Sequence, residues 1–191
     1  MANSLELGLN AFGDVTAGPD GQLLSHAQVI RNLVEEAVLA DQAGVDFFGV
    51  GEHHRPDFAV SSPEVVLGVV AGCTKRIRLG SATTVLSADD PVRVFQRFST
   101  LNAASGGRAE VILGRGWFTE PFSLFGYELS DYDSLFEEKL TLFAAFSPVV
   151  TFARPRTASS ETITLHSLGS NPGDFVDALP QLHWRGQSNT R

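Results

Sequence analysis

The sequence predicts an α/β fold built from successive parallel β/α units, and three observations carry that expectation. Four short apolar runs alternate with stretches of helical periodicity along residues 5 to 146. Helix-start chemistry (Ser25, Ser62-Pro63, Asp90-Pro91) separates the runs from the stretches that follow them. With 191 residues, 43% of them hydrophobic and 14 phenylalanines, the chain can fill one good core. Repeated β/α units imply right-handed crossovers, either in an open doubly wound sheet or in part of a (β/α)8 barrel.

Leu5 to Phe12 alternates apolar and other side chains and predicts a first strand, ending at Gly13-Asp14. Ser25 stands three residues before Gln28, the spacing of a capping box. Ile30, Leu33, Val34, Ala37 and Ala40 then recur at helical intervals until Gly44. Phe47 to Gly51 is a second strand whose polar end, Glu52-His53-His54, emerges at the sheet edge where α/β folds bind ligands. Ser62-Pro63-Glu64 supplies an N-cap, a first-turn proline and an early acid for a helix through about Ala71. Ile77 to Leu86 reads as a third strand. Asp90-Pro91 opens a helix with Val94, Phe95, Phe98 and Leu101 inward, closed by Ser105-Gly106-Gly107-Arg108. Ala109 to Leu113 makes a fourth strand that runs into Gly114-Arg115-Gly116-Trp117. A long aromatic loop then leads to a helix containing Phe136, Leu140 and Phe143.

The pattern stops near Phe146. Pro148, Pro155, Pro172 and Pro180 lie among many Ser, Thr and Asn, so residues 147–191 are expected to form a divergent, irregular tail behind a domain of residues 1–146. Charge changes at the same place. The first 146 residues carry 10 basic and 19 acidic groups, a net of −9, and the tail carries 4 and 3, a net of +1.

The overall charge of −8 and the absence of a basic run argue against nucleic acid or anionic lipid as a partner. No signal sequence or bilayer-length apolar stretch is visible, and Cys73 as the only cysteine excludes an internal disulfide framework, so the cytoplasm is the expected compartment. Cys73 itself is expected to be a small buried filler.

Histidine exchanges protons near neutral pH and a neighbouring carboxylate fixes its tautomer or raises its pKa, so Glu52-His53-His54 is a candidate acid/base cluster. The alternative is that these side chains only cap polar groups at a loop start. Consecutive side chains point different ways, so one imidazole is expected in the site and the other beside it. A zinc site is the weaker reading, because the pair lacks i, i+4 spacing and no third ligand is evident. A metal-dependent hydrolase would need stoichiometric metal. Gly114-Arg115-Gly116 can bring a guanidinium beside a phosphate or an electron-rich ring, or supply a surface ion pair. Trp117, Phe118, Phe122 and Phe125 either cover a planar ligand or fold over a small core of their own. His26, His166 and His183 show no partner in sequence.

Taken in order, Gly49-Val50-Gly51-Glu52-His53-His54, Leu79-Gly80-Ser81-Ala82-Thr83-Thr84-Val85-Leu86, Asp90-Pro91-Val92-Arg93, Leu101 to Arg108 and Gly114-Arg115-Gly116 resemble the bacterial luciferase-like monooxygenases. Phe125-Gly126-Tyr127 and Leu135 to Leu140 continue the likeness. The resemblance covers residues 5 to 146, about half of a (β/α)8 barrel of roughly 250 residues. It implies a flavin-dependent oxidoreductase in which reduced FMN, or alternatively F420, acts with oxygen on a small organic substrate, the flavin arriving from a separate reductase. It implies that His53 is the acid/base group, that Glu52 orients the strand end, and that Ala82-Thr83 lies under the flavin at a peptide the family often holds cis. Phe12 and Gly13 would line the pocket, and Gly114-Arg115 would approach the flavin from the fourth strand.

Trp117 departs from the small polar residue common after Gly-Arg-Gly, and Gly114 stands where luciferase proper has cysteine. The tail has no counterpart of the later strands that usually hold the flavin phosphate. The expectation is therefore a truncated half barrel, with two open sheet edges that favour a homo- or heterodimer. A non-catalytic flavin-binding or subunit-interaction protein is the alternative.

Overall fold

The computed structural model describes residues 5–145, 151–153 and 162–166. Four parallel strands, β1 (Gly8–Ala11), β2 (Phe47–Val50), β3 (Arg78–Ser81) and β5 (Ala109–Gly114), lie side by side in chain order. A two-residue strand, β4 (Thr84–Val85), also pairs with β5, placing Thr84 opposite Leu113 and Val85 opposite Gly114. Doubly wound sheets reverse strand order at a switch point, and these four strands do not, so the sheet follows the order of a barrel. Helices α1 (His26–Ala43), α2 (Pro63–Cys73), α3 (Pro91–Ala104), α4 (Glu120–Phe125) and α5 (Tyr132–Ala145) supply the connections and the outer layer.

Alternation along each strand sends one set of side chains toward the helices. Phe48, Val50, Leu79, Val111 and Leu113 form that set, and they share one buried core with Leu33 and Ala37 of α1, Leu67 and Val70 of α2, Phe95 and Phe98 of α3, and Phe136 and Phe143 of α5. Each large side chain removed from water contributes about 1.5–3 kcal/mol. Arg78 on the other sheet face pairs with Glu110 at 2.8 Å and Glu6 at 2.7 Å, while a Cβ on Gly80 would lie 2.7 Å from the Phe47 ring.

Several local expectations change. Ser25 accepts from the Gln28 amide, but the Gln28 side chain donates to Asn32 instead of returning to the cap, so only half of the capping box forms. Ser62 makes no side-chain cap bond, and α2 runs on to Cys73, which is exposed while Val70 and Ala71 of the same turn are buried. The expected third strand is broken at the cis peptide Ala82–Thr83 and ends in a 3-10 turn at Leu86–Ala88.

Within the stretch expected to be irregular lie two strands, β6 (Thr151–Ala153) and β7 (Thr162–His166), with β7 antiparallel to β5 and β6 antiparallel to β7. Thr162-Ile163-Thr164-Leu165-His166 has the two-residue alternation of a strand, a signal masked by the surrounding Pro, Ser and Thr. One of the two expected open edges is therefore covered. The other is β1, where Leu9, and Leu7 just before the strand, remain 50% and 57% exposed. Among the described residues no helix is long and apolar enough to cross a membrane.

Candidate active site

Hydrogen bonding continues one rung past the strands. The Gly51 amide donates to Ala11 O at 2.9 Å and the Ala82 amide to Val50 O at 2.8 Å, which holds three strand ends level. Gly51 has no room for a side chain, since a Cβ would lie 2.8 Å from Phe12 Cδ1 and 3.0 Å from His53 Cε1. The result is a cleft of about 180 Å³ lined by Phe12, Glu52, His53, His54, Ala82 and Thr83 together with Val85, Gly116, Trp117, Phe118 and Pro121. Gly114 lies against Thr83, where a Cβ would come within 2.7 Å of Oγ1.

The His53 ring stacks on Phe58 with centroids 3.9 Å apart and meets Phe12 and Phe118 edge-on at 5.9 and 5.7 Å. Its Nδ1 is buried with no hydrogen-bond partner among the described residues. Burial pulls the His53 pKa below its ordinary 6.5, outweighing Asp14, the Phe12 backbone and Glu52, which act in the opposite direction. Burial thus favours the neutral ring, in which one nitrogen is a donor and the other an acceptor.

His54 has different surroundings. Its Nε2 lies 2.8 Å from Glu52 Oε1, the other carboxylate oxygen accepts the Val85 amide at 2.9 Å, and the two side chains are 8% and 7% exposed. Glu52 thus clamps His54 and ties the end of β2 to β4, and it makes no hydrogen bond to His53. Phe125 meets the His54 ring edge-on at 5.1 Å. The pair also lines a second, polar cavity of about 470 Å³ with Glu64, Asp89 and Arg97. Arg97 bridges both acids, and burial raises the Glu64 carboxyl against the pull of that guanidinium.

Phe12, Glu52, His53, Ala82 and Thr83 therefore meet in one cleft, with Gly114 packed against Thr83. Arg115 and Gly13 do not join them. The Arg115 guanidinium turns to Asp133 at the start of α5 and lies 5.3 Å over the Phe136 ring. Gly13, at φ 74°, lines an adjacent cavity with Asn10 and Asp14. Of the loop aromatics, Phe118 and Phe125 touch the imidazoles, Phe122 is buried against Tyr132, and Trp117 is 90% exposed. Two residues were not anticipated. Phe58 follows the histidines in the same loop, a proximity that offered a signal, whereas the use of the Val85 amide by Glu52 offered none. Among the described residues no group of three His, Cys, Asp or Glu is placed to hold a metal ion.

The sequence profile of the luciferase-like monooxygenase family matches residues 6–174. The alkanal monooxygenase alpha chain of Photorhabdus laumondii is 29% identical over 127 residues, covering 66% of this chain and 35% of that one. Among solved structures, the oxygenating constituent of 3,6-diketocamphane monooxygenase from Pseudomonas putida, a type II Baeyer-Villiger monooxygenase in complex with FMN, superposes with a TM-score of 0.65 at 19% identity, covering 86% of this chain and 44% of that one. An F420-dependent secondary alcohol dehydrogenase in complex with an F420-acetone adduct has a TM-score of 0.59 at 17% identity, covering 87% and 49%. The chain thus spans about half the length of these structures, and its match covers about a third of the curated relative.

Proposed function

The chain belongs to the luciferase-like monooxygenase family, and on that premise we propose that the cleft receives the ring of a reduced flavin and that His53 handles a proton in oxidation of a small organic substrate. The observation that carries this is the buried, partnerless Nδ1 of a neutral imidazole in the same cleft as the Ala82–Thr83 peptide. Phe12, Val85 and Phe118 give the cleft apolar surface, which suits a planar ring. Bound flavin supplies the redox chemistry, and the chain supplies position, exclusion of water and proton transfer.

FMN is the proposed cofactor and F420 the alternative, in line with the structures of similar fold that hold each of them. A separate flavin reductase supplies the reduced form, and a dimer covers the exposed Leu7 and Leu9 beside β1. Among the described residues no Lys or Arg lines the cleft, so this lining offers no counter-charge to a flavin phosphate. That observation, with the half-length match, favours as second reading a non-catalytic flavin-binding or subunit-interaction protein.

Reduced FMN and reduced F420 are to be titrated in turn while oxygen consumption and substrate oxidation are followed above the free-cofactor background. His53→Ala should lower turnover by about 10²-fold and leave flavin binding largely intact. Turnover unchanged in that variant removes the role of His53, binding without turnover selects the second reading, and binding of neither cofactor rejects both.

A further inference from the structure

Trp117 lines the cleft and yet is 90% exposed, and its indole makes no ring contact among the described residues. A large aromatic side chain at the mouth of an aromatic-walled cleft is placed to meet a ring that enters it. The backbone that carries it is fixed. Tyr132 Oη donates to Gly116 O at 2.6 Å, and Gly116, at φ 87°, packs so closely on Val85 that a Cβ would lie 2.7 Å from Cγ1. Only glycine fits such a turn, and the next two side chains then diverge. Phe118 goes inward to the His53 and Phe58 rings while Trp117 stands at the mouth.

Resting on the flavin reading above, we infer that Trp117 stacks its indole on the bound flavin ring and so sets the affinity of the cleft for that ring. An electron-rich indole stacks face to face on an oxidised, electron-poor isoalloxazine and offers apolar contact to the reduced ring, and the anchored turn spares part of the ordering cost. Where the described lining offers no cation to the phosphate, such a contact supplies grip through the ring. It therefore acts equally on riboflavin and FMN, which share the ring and differ in the phosphate.

The chain has two tryptophans, so a Trp184→Phe background leaves Trp117 as the only indole. In that background, oxidised riboflavin and FMN are titrated and followed by flavin fluorescence polarisation and by flavin absorption. Trp117→Ala should weaken binding of both about fivefold to tenfold and abolish a red-shifted shoulder in the flavin spectrum, while Trp117→Phe should lose less than about threefold. Unchanged affinity in Trp117→Ala with no shoulder in the parent overturns the stacking contact and leaves the flavin reading standing. Failure of the parent protein to bind either flavin, oxidised or reduced under anaerobic conditions, overturns the inference, and failure to bind reduced F420 as well overturns the flavin reading itself.

Discussion

His53 and His54 are the same side chain one position apart, and their surroundings give them different work. His54 spends a nitrogen on Glu52 and is held as part of the wall, whereas His53 keeps Nδ1 unpaired between aromatic rings. The sequence made the cluster legible, but both imidazoles line the cleft, where only one was expected to face it. It could not show which one the carboxylate would take, because that depends on where β4 presents the Val85 amide. Arg115, for which the sequence left a ligand contact and a surface ion pair open, makes the ion pair in this structure. A strand-end guanidinium goes to its best partner, and Asp133 lies 18 residues away on a helix whose docking no local motif reveals. Protonation offers a test at this scale. The unfolded chain binds the His53 proton more tightly than the folded one, so the group's contribution to stability is complete above pH 6.5 and is lost as pH falls below that value toward the depressed folded pKa. His53→Gln should flatten this part of the acid limb in urea midpoints measured from about pH 5 to 8, and an identical limb in the variant contradicts the assignment.

Elements were legible wherever periodicity and caps agreed. Asp90 does accept the Arg93 amide, and Gly44 does close α1 in the left-handed region. Ile77 to Leu86 looked like one strand because β-branched residues fill it, but Glu52 captures Val85 and the chain breaks at Ala82–Thr83. Connections between elements were the least visible. Asp41, at the end of α1, accepts the amides of Lys75, Arg76 and Ile77 at 2.8 to 3.1 Å, and although burial alone would raise it, these amides hold its carboxyl below the usual range. Arg108 read only as the last residue of the stretch that ends α3, yet its guanidinium donates to the carbonyls of Ala71, Thr74, Ile77 and Ser105 and to Thr74 Oγ1, so it closes α2 against the start of β5. Leaving that many acceptors without a donor is costly. Arg108→Met should destabilise the protein by about 2–4 kcal/mol in urea unfolding, and Arg108→Lys should recover little because an ammonium cannot span the fork. A loss within experimental error in both variants contradicts the closing role.

At the scale of the whole molecule, four parallel β/α units in unbroken order form a sheet whose carboxyl edge opens into the cleft around His53, and the order of those units was readable from alternation, caps and motif order. The two strands within residues 147–191 were not, since proline and serine around them spoke louder than a five-residue alternation. The account rests on strand ends from β1, β2, β3 and β5 meeting around one imidazole, so that a flavin entering the cleft reaches His53 and leaves distant histidines alone. The most direct test follows the imidazole ¹⁵N resonances while FMN is added. His53 should shift saturably, and His26, whose Nε2 meets Pro56 O at 2.9 Å outside the cleft, should not move. A His53 signal that stays in place while FMN saturates the protein contradicts the account.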